Sequence, residues 1–319
     1  MRPEPAIDER YRSLLQKAVR RGHVDLAITV GACMADAGDP AWFERRTGLI
    51  ALSECWPLTG RTDFTKAAHS KLAALVRVAR ARKDRDAAGL GFLSYALARG
   101  DGSVLAGTED DRAVRLLAQA VQRPKKFWEW IAAQPCGEDR RHVIAHADRL
   151  GAGDRPHDQA VAQAAAYLAL SAPLPQTAEA PAAAGAFPYW AVFDRHTTAG
   201  KRALRDVARD LHLKVDQLEW CFYYYEGAIA NAEAPSPWWA RYCRWGFDRH
   251  GLRPDEAPLL WEPARIQLAE ALSGDSRTLQ AEVYGWRLAH RDRVELLKQQ
   301  VELFIGRLRD VPRDQPELF

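Results

Sequence analysis

The sequence has few cysteines and lacks the features of a secreted or membrane protein. Its five cysteines are widely scattered and form no C-x-x-C pair, so the pattern indicates neither a zinc ribbon nor a disulfide framework. The first residues, Met1 to Pro5, contain no apolar run of the kind that begins a signal peptide. The longest uncharged stretch, Gln159 to Ala178, is interrupted by two prolines, which argues against a membrane span. We therefore expect a cytoplasmic, reduced protein with no membrane partner.

A large excess of one charge is also absent. The chain has 45 Lys and Arg against 42 Asp and Glu, a formal net charge of +3, which excludes a polybasic, histone-like binder. Only nine of the basic residues are Lys. The remainder are Arg, whose guanidinium binds phosphate through two N–H groups and stacks on bases. At 319 residues, of which 47% are hydrophobic, the chain can bury a sizeable core and form about two domains of roughly 150 residues each.

Apolar residues recur at three- and four-residue steps along most of the chain, which predicts helices. The longest such pattern runs from Leu279 to Leu308 and predicts one continuous C-terminal helix of thirty-odd residues, which would be roughly 48 Å long at 1.5 Å per residue. Segment 172–186 is rich in Ala and Pro and has no large apolar residue after Leu174, which predicts a linker. Segment 187–193 is the one candidate for a short strand. The sequence predicts an all-α fold of two helical lobes joined by this linker, with a long C-terminal helix and an extended tail.

The predicted domain organisation follows from these patterns. We expect an N-terminal helical domain at 1–171, the linker at 172–186, a C-terminal helical domain rich in Trp and Tyr at 187–309, and the tail at 310–319.

The tail carries a short motif. Gln315, Leu318 and Phe319 lie in a segment with two prolines, which cannot continue a helix. This segment resembles the bacterial sliding-clamp-binding peptide, whose common form is Gln-Leu-(Asp/Ser)-Leu-Phe; Pro316 departs from the usual second-position Leu. The resemblance implies a bacterial sliding clamp as partner, with the Gln amide hydrogen-bonded at one subsite and the Leu-Phe pair in an apolar pocket. The alternative is a tail that folds back onto its own domain.

The N-terminal region gives a second resemblance. The residues that carry it are Tyr11–Gly22, Val24–Ala27, Gly38–Arg46 and Leu49–Glu54. They resemble the helical C-terminal region of RarA-type AAA+ proteins, relatives of clamp loaders, and a looser likeness extends to Leu170. The ATPase module of that family has no counterpart here, because Gly200-Lys201 is followed by Arg202 rather than Ser or Thr. The resemblance therefore implies partner binding without nucleotide hydrolysis and without a cofactor.

Basic residues interleaved with aromatic ones indicate a nucleic-acid surface, since cations bind phosphates and rings stack on bases. A further hint is the helix predicted to begin near Ala199, whose first turns carry cations. Cations near the N-terminus of a helix interact unfavourably with its dipole, and an anion bound there would offset this cost. The candidate nucleic-acid-binding residues are Arg80, Arg82, Lys83, Lys125, Lys126, Trp128, Arg195, Lys201 and Arg202. The alternative is a set of solvated helix faces with the tryptophans anchoring the core.

No catalytic or metal-binding motif stands out. His142 and His146 have the i, i+4 spacing of metal ligands, and Asp-Arg-His occurs at 194–196 and 248–250, but no neighbouring carboxylate motif completes a site. We predict a non-catalytic accessory protein of DNA replication or repair that binds the sliding clamp through its tail and DNA through Arg/Trp-rich surfaces. Two alternatives stay open: a metal-dependent nuclease with a dispersed active site, and an interaction subunit of a separate AAA+ ATPase.

Overall fold

The structure is a computed structural model that describes residues 7–37, 40–61, 68–153, 155–171, 173–228 and 236–309. Within these residues the chain forms helices joined by turns, with two isolated β-bridges and no β-strand. The predicted all-α fold class is confirmed. The predicted clamp-binding residues Gln315, Leu318 and Phe319 lie outside the described residues.

The α-helices are α1 (Glu9–Arg20), α2 (Val24–Ala37), α3 (Pro40–Cys55), α4 (Ala68–Arg80), α5 (Asp86–Ala98), α6 (Asp111–Gln122), α7 (Pro124–Ala132), α8 (Glu138–Gly151), α9 (Pro156–Ser171), α10 (Thr198–Asp210), α11 (Val215–Phe222), α12 (Pro237–Arg249), α13 (Ala257–Ala271), α14 (Ser273–Ala289) and α15 (Arg291–Arg309). Short 3-10 helices occur at Trp56–Arg61, Gly102–Val104 and Tyr189–Val192, and a π-helix at Tyr223–Ala228 extends α11.

Helix α1 is capped at its first turn and followed by a glycine. Asp8 caps it by accepting the Arg10 N–H at 2.8 Å, which satisfies one of the free donors of the first turn. Tyr11 and Leu14 on its apolar face are fully buried. Gly22 follows the helix with a φ of +73°, a conformation that glycine adopts without strain.

The largest hydrophobic cluster draws on both sides of segment 172–186. It joins α1 to α4 from the first part of the chain to α10, α11, α13, α14 and α15 from the last part. Helix α15 packs directly on α4, and α14 packs on α2. The early and late parts of the chain therefore share one core.

The second cluster is built from α5 to α9 together with half-buried aromatic rings of α12. Helix α5 lies at its centre, packed against α6, α9 and α12. Gly89 permits the approach of α12, because a Cβ there would lie 2.5 Å from the backbone N of Trp239. Gly91 does the same for α9, where a Cβ would lie 2.8 Å from the Val161 Cα. Without side chains at these two positions, the backbones can pack closely.

Segment 173–188 is non-helical and largely exposed, and it pairs with the end of α4. The Arg82 N–H donates to the Ala178 carbonyl at 2.9 Å, and the Ala180 N–H donates to the Arg80 carbonyl at 2.7 Å. The segment is thus held against the body of the protein by backbone hydrogen bonds.

The predicted continuous C-terminal helix is wrong, because the chain turns at His290 between α14 and α15. The His290 Nδ1 lies 2.9 Å from the Trp286 carbonyl, and the two rings stack with centroids 4.4 Å apart. Both helices pack on α2, and the break lets α14 also pack on α13 and the 3-10 turn at 189–192 while α15 packs on α4.

The candidate strand at 187–193 is also wrong. Tyr189–Val192 forms a 3-10 turn in which the Ala191 N–H donates to the Pro188 carbonyl at 3.0 Å. Phe187, Val192 and Phe193 are buried there, so apolar side chains on neighbouring positions enter the core without a sheet.

Candidate nucleic-acid interface

The predicted basic cluster at the end of α4 has one exposed, one paired and one buried member. Arg82 is exposed, and Arg80 forms an ion pair with Glu302 of α15. Lys83 is 2% exposed, and its ammonium donates to the carbonyls of Val78, Ala79 and Ala81. Burial lowers the pKa of Lys83 to about 8.

The assignment of Lys83 to a DNA surface is therefore wrong. Its side chain folds back over the last turn of α4, where lysines commonly bind free carbonyls. The apolar periodicity of α4 could not reveal this, because Lys83 follows the end of the helix.

The second predicted cluster lies at the start of α7. Lys125 and Lys126 are exposed, and Lys125 is 3.9 Å from Glu129. Trp128 is half-buried, and its ring occupies the space where Gly151 of α8 would carry a Cβ. Trp128 therefore anchors α7 to α8, and Trp130, 39% exposed, is the ring of this helix that faces solvent.

The third predicted cluster depends on a buried ion pair. Asp194 Oδ2 lies 2.7 Å from the Lys17 Nζ of α1, and Asp194 Oδ1 accepts the His196 N–H at 2.9 Å. Burial alone would raise the pKa of Asp194, but the charges of Lys17 and His196 outweigh it and hold the pKa well below its usual range. This pair fixes the loop and leaves Arg195 exposed, 3.9 Å from Glu219.

Helix α10 separates an apolar face from a cationic one. Its buried residues include Ala203, Leu204 and Val207. Lys201, Arg202 and Arg205 lie on the exposed side, and the described residues provide no ion-pair partner for any of the three. Lys201 and Arg202, two of the candidate nucleic-acid-binding residues, are therefore exposed, and their contact with DNA stays a prediction.

The first turn of α10 is closed by the protein itself. The Thr197 Oγ accepts the Gly200 N–H at 3.1 Å, as an N-cap residue does. A Cβ at Gly200 would collide with the Asp194 carbonyl, so the preceding loop lies directly against this turn. The predicted anion site at this helix end therefore lacks one of the free N–H groups that it requires.

The three clusters lie on helices with different neighbours. Helix α4 packs against α1, α2, α3 and α15, α7 against α6 and α9, and α10 against α11 and α13. We define the exposed Arg195, Lys201, Arg202 and Arg205 as the α10 cationic surface, because they come from one loop and the helix that follows it.

A buried charge cluster was missed by sequence reasoning. Glu54 has no exposed surface, and the Arg20 Nε donates to it at 2.9 Å, while the Arg85 Nε lies 3.5 Å away. Burial alone would raise the pKa of Glu54, but Arg20 and Arg85 outweigh it and lower the pKa to about 2. No periodic pattern marks these residues, because α1 and α3 are buried on most sides and the partners are far apart in sequence.

Two carboxylates border this cluster. The Trp56 Nε1 donates to Asp84 at 3.0 Å, and Asp86 accepts the Trp238 N–H at 2.8 Å, which ties α5 to the start of α12. Burial, together with the charge of Asp84, raises the pKa of Asp86 to about 7. The Arg85 guanidinium lies 3.5 Å from the centroid of the Trp239 ring. These groups connect helices; Asp84 and Arg85 are buried, and Asp86 is half-buried.

The histidines considered as metal ligands are not arranged together. His146 is 3% exposed whereas His142 is exposed. Burial and, secondarily, Arg149 lower the pKa of His146 to about 3. Across the described ranges, no three His, Cys, Asp or Glu side chains form a group suited to a metal ion.

Comparison of the chain with protein-family models, curated proteins and solved structures finds no match. Among the described residues, no helix combines the length and apolar character needed to cross a membrane.

Proposed function

We propose that the protein is a non-enzymatic accessory protein of bacterial DNA replication or repair. It is held at the sliding clamp by Gln315, Leu318 and Phe319 and contacts DNA through exposed cationic surfaces. The observation that carries the proposal is the tail motif, which supplies a Gln amide and a Leu-Phe pair in a segment that contains two prolines.

The α10 cationic surface supports the DNA part of the proposal. Its three helical cations have no ion-pair partner within the described chain, so phosphates would not have to displace internal carboxylates. The arginines are suited to binding phosphate, because a guanidinium donates two parallel N–H groups to it. Such a surface binds the backbone and is tolerant of sequence.

Salt dependence of DNA affinity tests this part directly. We expect the Lys201→Glu/Arg202→Glu variant to flatten the plot of log affinity against log salt, by roughly 0.7–0.9 for each phosphate that is no longer bound. The Lys125→Glu/Lys126→Glu variant tests the α7 cluster in the same way. Arg112→Glu/Arg115→Glu, an equal charge change at exposed positions of α6, is the matched control.

Slopes that are unchanged in both variants, or changed equally in the control, would contradict the assignment of DNA contact to α7 and α10. Divalent-metal-dependent cleavage of DNA by the purified protein would contradict the non-enzymatic part.

A further inference from the structure

A groove of about 880 Å³ lies between three segments of the chain. It is lined by the turn from α1 to α2, which includes Gly22 and His23, by Phe187 and Tyr189 at the end of the non-helical segment, and by one side of α14. The volume lies in the range of ligand-binding clefts.

Several aromatic rings line this groove. His23 and Phe187 meet edge to face with centroids 5.2 Å apart, and Phe187 meets Tyr189 at the same distance. Burial lowers the pKa of His23, so its ring is neutral at pH 7. On α14, Tyr284 is 61% exposed. The groove therefore offers an accessible ring on α14 and a row of contacting rings at His23, Phe187 and Tyr189.

The charges at the groove favour an anion. Arg277 and Arg287 flank Tyr284 on the same side of α14, roughly 15 Å apart along the helix at 1.5 Å per residue. Asp25 is shared between Arg287 at 3.8 Å and Lys298 at 3.2 Å. Arg277 has no ion-pair partner in the described part of the chain. Lys298 also pairs with Glu295 at 3.2 Å, so two arginines that line the groove, Arg277 and Arg287, stand against one lining carboxylate, Asp25.

We propose that this groove binds a short single-stranded nucleic acid, with phosphates at Arg277 and Arg287 and a base stacked on Tyr284. Such strands are bound by cationic grooves in which aromatic rings alternate with basic side chains, because every base has a face that can stack. The site is separate from the α10 cationic surface and extends the proposed function to a second DNA contact.

An acidic peptide is the other occupant with the right charge. It would satisfy the two guanidiniums but leave the exposed Tyr284 ring between them without a planar partner. A strand of nucleic acid supplies phosphates and bases in alternation, matching the order Arg277, Tyr284, Arg287 along α14. Charge and ring placement together favour the nucleic acid.

The test is the binding of a fluorescent oligothymidylate of about 12 nucleotides to the full chain, measured by anisotropy. We expect Tyr284→Ala to weaken binding roughly 5- to 150-fold, the equivalent of one base that no longer stacks on a ring. Tyr284→Phe, which keeps the ring, should bind as the wild type does. An abasic strand of equal length should bind more weakly to the wild type and be insensitive to Tyr284→Ala.

Charge reversal tests the phosphate contacts. Arg277→Glu/Arg287→Glu should flatten the salt dependence by roughly 0.7 for each phosphate that is no longer bound, whereas Arg112→Glu/Arg115→Glu should leave it unchanged. Thermal melting of each variant verifies that the fold is intact.

Several results would overturn the inference. Oligothymidylate binding that is unaffected by Tyr284→Ala would do so. A change in salt dependence for Arg277→Glu/Arg287→Glu that is no larger than the change for Arg112→Glu/Arg115→Glu would also do so. Binding of a peptide of residues 310–319 that depends on Arg277, without oligonucleotide binding, would assign the groove to an acidic peptide instead.

If only Lys201→Glu/Arg202→Glu abolishes binding, the groove inference fails and the proposed DNA surface stands. If the groove variants lose binding but the chain does not associate with the clamp, the proposed function fails and the groove stands.

Discussion

The Glu54 carboxylate is held between the guanidiniums of Arg20 and Arg85, and its partners are 5% and 1% exposed. Removing the negative charge would take away the carboxylate that faces two buried cations. A buried pair broken in this way typically costs about 3–5 kcal/mol. We therefore expect Glu54→Gln to lower the free energy of unfolding at pH 7 by that amount in urea denaturation.

The matched control is Glu302→Gln, which removes a carboxylate from the more exposed pair with Arg80 and should cost less than about 1 kcal/mol. The loss of stability at acid pH gives a second check. Because the pKa of Glu54 is lowered from 4.5 to about 2, its contribution is complete above pH 4.5 and lost as the pH falls towards 2. Equal losses in the two variants would contradict this account of Glu54.

The contribution of Asp86 to stability should depend on pH in the opposite direction. Its pKa is raised from 3.8 to about 7, so the folded state binds the proton more tightly than the unfolded state between these values. The stability associated with this residue is therefore present below pH 3.8 and lost as the pH rises through 7.

Asp86→Asn keeps an oxygen that can accept the Trp238 N–H but cannot ionise. We expect this variant to lose less stability than the wild type between pH 5 and 7.5, measured by urea denaturation at each pH. The exposed Asp148→Asn should follow the wild-type profile. A profile for Asp86→Asn that parallels the wild type would show that this carboxylate does not titrate in the range.

At the scale of helices, close packing and helix propensity give opposite effects for the same substitution. Gly89→Ala places a methyl group 2.5 Å from the backbone of α12 and should destabilise the protein by about 1–3 kcal/mol through overpacking. Gly306 lies inside α15, where a methyl group would have no neighbouring atom within 4 Å. Gly306→Ala should stabilise by about 0.5–1 kcal/mol because alanine is the better helix former. Thermal melting of both variants measures the difference; a shift in the same direction would contradict the packing of α5 against α12.

Local patterns predicted single helices better than their junctions. The helix predicted to begin near Ala199 is observed as α10, which begins at Thr198. The apolar period of the last predicted helix continued through His290 without a break, because the apolar spacing is maintained while the chain changes its packing partners. Lys83 was misplaced for a related reason: its contacts depend on how the chain turns after α4.

At the scale of the whole molecule, the sequence predicted the all-α class but not which helices share a core. The first cluster joins α1 to α4 with helices more than a hundred residues later, and such pairings have no local signature. The groove was missed for the same reason, since Gly22, Tyr189 and Tyr284 come from three distant segments. The sequence identified the charged candidates by residue type, but only the packed structure shows which of them are buried.

The central claim is that the protein reaches its partner through the tail at 310–319. Full burial of Leu and Phe is worth roughly 1.5–3 kcal/mol each, so both side chains should be needed for association with the clamp. Pro316 restricts the unbound peptide and should offset part of the ordering cost.

The most direct measurement is therefore the affinity of a purified bacterial sliding clamp for the full chain and for Leu318→Ala/Phe319→Ala, with the melting temperature of each protein recorded in parallel. We expect the wild type to bind, the double variant to lose association, the two melting temperatures to agree, and a peptide of residues 310–319 to compete. Failure of the wild type to bind, or a double variant that still binds while melting several degrees lower, would contradict the claim.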